Sequence, residues 1–137
     1  MRKKGLLMFL AFAAVLVLAL TAAGCGKAEP QAFTETNVNE TIKVADDEEF
    51  TITLAGNETT GFIWRQDEAA TDKKIVEKVS DEYQAPNTGT PGEGGNHVWV
   101  FVGKAPGETS ITLSYLRPWE PNASPEKTLT FKVKVSE

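Results

Sequence analysis

Apolar and polar residues alternate along most of this chain. In "EFTITLAG", Phe50, Ile52 and Leu54 are separated by Thr51 and Thr53, the period of two that lines one face of a half-buried strand. "TSITLSYL" repeats the pattern with Ile111, Leu113 and Tyr115, and "KTLTFKVKV" with Leu129, Phe131, Val133 and Val135. "HVWVFVGK" is apolar on both faces, as a central sandwich strand can be. "TIKV" and "GFIWR" predict two shorter strands, while "KKIVEKVSDEY" fits an amphipathic helical turn or a strand. Gly and Pro punctuate the intervals at "PNTGTPGEGG", "APGE" and "RPWEPNASPE". About seven short antiparallel strands with turn signals between them predict an all-β, immunoglobulin-like β-sandwich.

The start of the chain follows a different rule. Arg2, Lys3 and Lys4 precede an apolar run from Leu6 to Leu20, and small residues lead to Cys25. This is the three-part layout of a secretory signal, and the run is shorter than the roughly 20 residues a spanning helix needs. "AAGC", ending at Cys25, resembles the bacterial lipobox, with Ala22 where leucine is usual. That resemblance implies removal of residues 1–24, lipidation of Cys25, and a lipid-anchored protein of the cell membrane facing away from the cytoplasm. Residues 25–39 are polar, include Pro30 and lack periodicity, which predicts a flexible tether before a domain at 40–137.

Removing the signal changes the charge balance. Eleven basic residues then face 19 acidic ones, a formal −8 against −5 for the 137-residue whole. No basic stripe remains for nucleic acid, so the acidic surface favours solubility or a basic partner. Cys25 is the sole cysteine, so apolar burial must hold the sandwich without an inter-sheet disulfide.

Catalytic chemistry finds little to work with. His97 is the only histidine, and with Cys25 committed to the anchor no cysteine–histidine pair remains. "DDEE", Asp46 to Glu49, lacks the alternate-position spacing of a calcium loop and reads as a solvated turn. "GEGG" has no following Lys-Ser/Thr for phosphate. Neither a metal nor a cofactor is expected, and the protein is not read as an enzyme.

Three loops carry more than turn chemistry: "NETTGF", "TPGEGGNH" and "LRPWEPN". The last places Trp119 between two prolines, and loop tryptophans are enriched at binding hot spots; an equal alternative folds it back onto the sandwich edge. In an immunoglobulin-type strand order these loops converge at one end. Thr59 and Thr60 are stiff at χ1 and offer hydroxyls that donate or accept.

Together, "NETTG", "GEGG" and "RPW" in this order resemble the chagasin family, inhibitors of papain-like cysteine peptidases, over about Thr41 to Val135. The resemblance implies a sandwich whose three loops form a wedge for the peptidase cleft. By position, Asn57, Glu58, Thr59, Thr60, Gly61 and Phe62 correspond to the central loop that enters the catalytic centre. Gly92, Gly94 and Gly95 correspond to one flank, and Arg117, Pro118 and Trp119 to the other. Glu58 stands where the family's commonest motif has proline. The expected partner is a papain-like cysteine peptidase. The rival expectation is an immunoglobulin-like surface module for adhesion or envelope assembly, since this fold hosts many functions.

Overall fold

The computed structural model describes residues 29–122 and 124–137. The signal-like segment and Cys25 therefore lie outside the described residues. Among the described residues, eight strands form two sheets: β1 (Gln31–Phe33), β2 (Thr41–Ala45), β3 (Glu49–Gly56), β4 (Ile63–Asp67), β5 (Val76–Gln84), β6 (Gly95–Gly103), β7 (Gly107–Leu116) and β8 (Lys127–Ser136). One sheet runs β1-β3-β6-β5 and the other β2-β8-β7-β4. The expected β-sandwich is present, with one strand more than the alternation indicated. Two pairings are parallel, β1 with β3 and β2 with β8.

The additional strand is β1, inside the stretch 25–39 expected as a tether. Gln31 to Phe33 pair with Phe50 to Ile52, and Phe33 meets Phe50 edge-on at 6.2 Å. Three residues are too few to display a period, which is why the pattern was silent there. Val38 also packs against the core, so the sandwich begins before residue 40.

The core follows the alternation closely. Phe50, Ile52, Leu54, Ile111, Leu113, Leu129, Phe131, Val133 and Val135 are all buried, and Tyr115 packs partly against them. β6 lies between β3 and β5, with Trp99 and Phe101 turned inward. Phe50 stacks on Phe101 at 5.6 Å, and Trp64 meets Trp99 edge-on at 6.5 Å, joining the two sheets. Truncating such aromatics to alanine costs about 3–5 kcal/mol, so this cluster does the work of the missing disulfide.

"KKIVEKVSDEY" resolves as the edge strand β5. Its register against β6 shifts between Lys78 and Ser80, and Val79 turns out to solvent. A bulge of this kind breaks the period of two, which accounts for the helix-or-strand ambiguity. "DDEE" forms the β2–β3 turn, with Asp47 at φ 61°.

Candidate functional site

Register alone brings the three loops to one pole. β3 ends at Gly56, paired with Gly95 at the start of β6, and β5 ends at Gln84, paired with Asn96. In the other sheet, β4 begins at Ile63 opposite Leu116, the last residue of β7, and β8 begins at Lys127 opposite Tyr115. Loops 57–62, 85–94 and 117–126 therefore leave the same end of the sandwich.

The central loop is a single 3₁₀ turn, Glu58–Thr60, capped by Asn57. The Asn57 side-chain oxygen accepts from the Thr59 N–H at 3.1 Å and from the Thr59 hydroxyl at 2.5 Å. The Thr60 hydroxyl donates to the Asn57 carbonyl at 2.7 Å. Both threonine protons are thus committed within the loop, and both hydroxyl oxygens keep acceptor lone pairs. The sequence left donation and acceptance open; the fold leaves acceptance. The turn closes on Gly61 at φ 84°, a left-handed conformation that favours glycine.

Side chains then lock this loop to both neighbours. The Asn57 amide nitrogen donates to the Gly92 carbonyl at 2.8 Å, tying the central loop to the second. Gly94 sits close enough that a β-carbon there would lie 3.0 Å from the Gly56 carbonyl oxygen. On the other side, a β-carbon on Gly61 would fall 1.9 Å from the Trp119 ring. The outer edge of the Trp119 ring therefore abuts the central loop at Gly61, while Trp119 remains 62% exposed. Trp119 is thus largely exposed, and the neighbour it leans on, Gly61, belongs to the central loop.

Beneath the loops is an aromatic support. Phe62 stacks on Tyr115 at 5.1 Å, and Tyr115 packs on Trp64 at 5.0 Å. The Arg117 guanidinium lies 4.3 Å above the Phe62 ring and 3.6 Å from Glu120. Phe62 is thus a support, held between Arg117 and Tyr115. Gly95 opens β6 instead of belonging to the loop, and its N–H donates to the Tyr83 hydroxyl at 3.0 Å. Pro118 is exposed in the turn closed by the Glu120 N–H to the Arg117 carbonyl.

Two functional supports had no sequence motif. The Tyr115 hydroxyl accepts from the Asn57 N–H at 3.0 Å, fixing the base of the central loop. Tyr83 does the same for the second loop. The only signal was position: each is the last aromatic before a loop. His97 is buried and hydrogen-bonded, its ring stacked 4.0 Å from Trp99 and its Nε2 on the Asp81 carboxylate. It serves the core below the second loop.

Residues 43–135 match the family model for the chagasin family of peptidase inhibitors. The chain belongs to the chagasin family. It is 43% identical over 102 residues to amoebiasin-1 of Entamoeba histolytica, covering 74% of this chain and 96% of that one. It is 34% identical to chagasin of Trypanosoma cruzi over 89 residues, 63% of this chain and 80% of that one. Among solved structures, the cysteine protease inhibitor EhICP2 of Entamoeba histolytica superposes with a TM-score of 0.66. That match covers 77% of this chain and 94% of the other at 23% identity, a likeness of fold. The chagasin fold thus accounts for both sheets.

Proposed function

We propose that this protein is a reversible, tight-binding inhibitor of papain-like cysteine peptidases that fills the active-site cleft with loops 57–62, 85–94 and 117–126. Family membership makes it an inhibitor and not an enzyme. The observation that carries the three-loop reading is the preassembled pole: Asn57 bonds to Gly92, and Trp119 lies on Gly61. A surface already locked loses little conformational freedom on binding, so more of the contact energy appears as affinity. Its exposed groups suit a cleft. Thr59 and Thr60 present acceptor oxygens, Trp119 a flat apolar face, and Gly92 a backbone that approaches closely. An inhibitor interface of standard size buries about 1,600 Å² in total, and one end of a small sandwich can supply its half. Occupying the cleft excludes substrate without any bond being cleaved.

The same reading includes a lipid anchor at Cys25, with the wedge facing away from the membrane. β3 starts beside the N-terminal strand β1 and ends at the central loop. Eight residues of strand put the loops about 25 Å beyond the point where the tether joins. In this reading a tether of residues 25–31, at most ~25 Å when extended, joins at the pole of the acidic turn Asp46–Glu49, so the loops are the pole farther from the lipid.

The test is titration of full-length protein, held in nonionic detergent, into papain and its relatives. Activity should fall stoichiometrically and return on dilution. A peptidase whose cleft is already occupied by a covalent blocker should no longer bind. Absence of inhibition at micromolar protein across the panel defeats the reading.

A further inference from the structure

The charges on the wedge are unequally compensated. Arg117 and Glu120 face each other at 3.6 Å, and the Glu93 carboxylate accepts from the Thr88 hydroxyl. Glu126, without a side-chain partner among the described residues, sits at the foot of the third loop beside β8, away from the central loop. Glu58 differs. It is the first residue of the central 3₁₀ turn and exposed, and its carboxylate has no ion-pair or hydrogen-bond partner among the described residues. Its backbone is nevertheless fixed, since the Glu58 carbonyl accepts from the Gly61 N–H at 3.0 Å. The central loop therefore presents an anchored negative charge with no cation beside it among the described residues.

We infer that Glu58 is the specificity-determining residue of this inhibitor, selecting papain-like peptidases whose cleft rim carries a basic side chain opposite the central loop. The inference rests on the inhibitory reading above. Entering a cleft strips water from whatever side chain leads. A carboxylate that meets Lys or Arg there gains a charge-assisted contact, whereas one that meets a neutral or acidic wall is left desolvated and unpaired. Discrimination thus comes from the penalty against the wrong partner as much as from attraction to the right one. The formal −8 of residues 25–137 steers encounter towards a basic target in the same sense, but it acts through the whole surface. Glu58 adds a local term that depends on where the partner's charge sits.

The experiment uses full-length protein in nonionic detergent against papain and papain variants bearing single substitutions to Lys or to Glu around the cleft rim. Wild-type protein is compared with Glu58→Gln and Glu58→Lys. Glu108→Gln, in the β7 segment at the opposite pole, removes the same formal charge far from the wedge. At least one rim Lys should tighten wild-type inhibition about tenfold at low salt, and Glu at that position should weaken it by a similar factor. Glu58→Gln should lose this response, Glu58→Lys should invert it, and Glu108→Gln should keep it. Raising ionic strength should compress the differences without abolishing inhibition. If Glu58→Gln responds to rim charge as wild type does, or if no rim position matters, the inference is overturned while the inhibitory reading stands. If wild type inhibits none of the papains, both fall together.

Discussion

The two poles of the sandwich solve the same problem, joining strands, in opposite ways. At the pole where β2 turns into β3, backbone groups largely satisfy one another. Asp46 N–H donates to Ser136, Asp47 N–H to Gly103, Glu48 N–H to Ala45 and Gly103 N–H to Glu48, all at 2.9–3.2 Å. At the wedge pole the loops are longer, and side chains do much of this work: Asn57, Thr60, Tyr83 and Tyr115 each bond to backbone. Backbone-closed turns are tolerant connections. Loops closed by side chains are positioned surfaces, with specific residue types held in fixed places.

The contrast breaks most sharply at Gly61. Any β-carbon there would meet the Trp119 ring at 1.9 Å and would also have to adopt φ 84°. Gly61→Val should weaken inhibition by about 2–3 kcal/mol, roughly 30- to 150-fold, as loop strain and displacement of Trp119 combine. Trp119→Ala alone should cost more than about 1 kcal/mol of binding, because it removes a large exposed anchor. The double variant should cost less than the sum, since removing the ring relieves the clash but not the backbone strain. Inhibition constants for the four proteins check this, and strict additivity would show that the two loops are independent.

Asn57→Ala tests the side-chain closure itself. It deletes the cap on the 3₁₀ turn and the link to Gly92 together. The expected loss is about 1–2 kcal/mol in inhibition, with a smaller fall in thermal stability, because the loop sits outside the core. A midpoint shift as large as that of a core truncation would place Asn57 in the fold instead of the wedge. The analogous removal of one turn bond at the other pole should leave inhibition unchanged.

How much of this was legible in the sequence follows from the same contrast. β3, β7 and β8 each bury one face, so alternation alone identified their core residues. β1 is too short to carry a period, and the bulge in β5 interrupts one. Parallel pairing of β1 and β2 leaves no local trace, because it depends on strands far away in the chain. At the wedge, ordered motifs pointed to Asn57, Gly61 and Trp119, since unusual residue types are needed for unusual backbone and contacts. The loop-holding roles of Tyr83 and Tyr115 escaped notice because a tyrosine near a strand's end looks like any core aromatic. The partner of its hydroxyl, Asn57 for Tyr115 and Gly95 for Tyr83, lies elsewhere in the chain, and only the fold reveals it. The direction of the threonine hydroxyl bonds was equally hidden, being set by the 3₁₀ turn.

The smallest expected effect lies at the opposite pole, where one side chain does intervene. The Glu48 carboxylate accepts from the Ala45 N–H at 2.7 Å and from the Gln31 amide at 2.9 Å, clasping β1 to the β2–β3 turn. The Ala45 N–H, followed by Gln31, holds its pKa below the ordinary 4.5. A depressed folded-state pKa stabilises the protein above the unfolded value, and that contribution is lost as pH falls through the folded one. Glu48→Gln should therefore cost less than about 1 kcal/mol at neutral pH, with the difference from wild type shrinking as pH falls through the ordinary carboxylate value and then the lowered folded one. Denaturant midpoints at several pH values read this directly. Inhibition at neutral pH should stay at the wild-type level, because the clasp lies a full strand away from the central loop. Were Glu48→Gln to weaken inhibition as Asn57→Ala does, the poles would be mechanically coupled through β3, and the division between tolerant turns and a positioned wedge would fail.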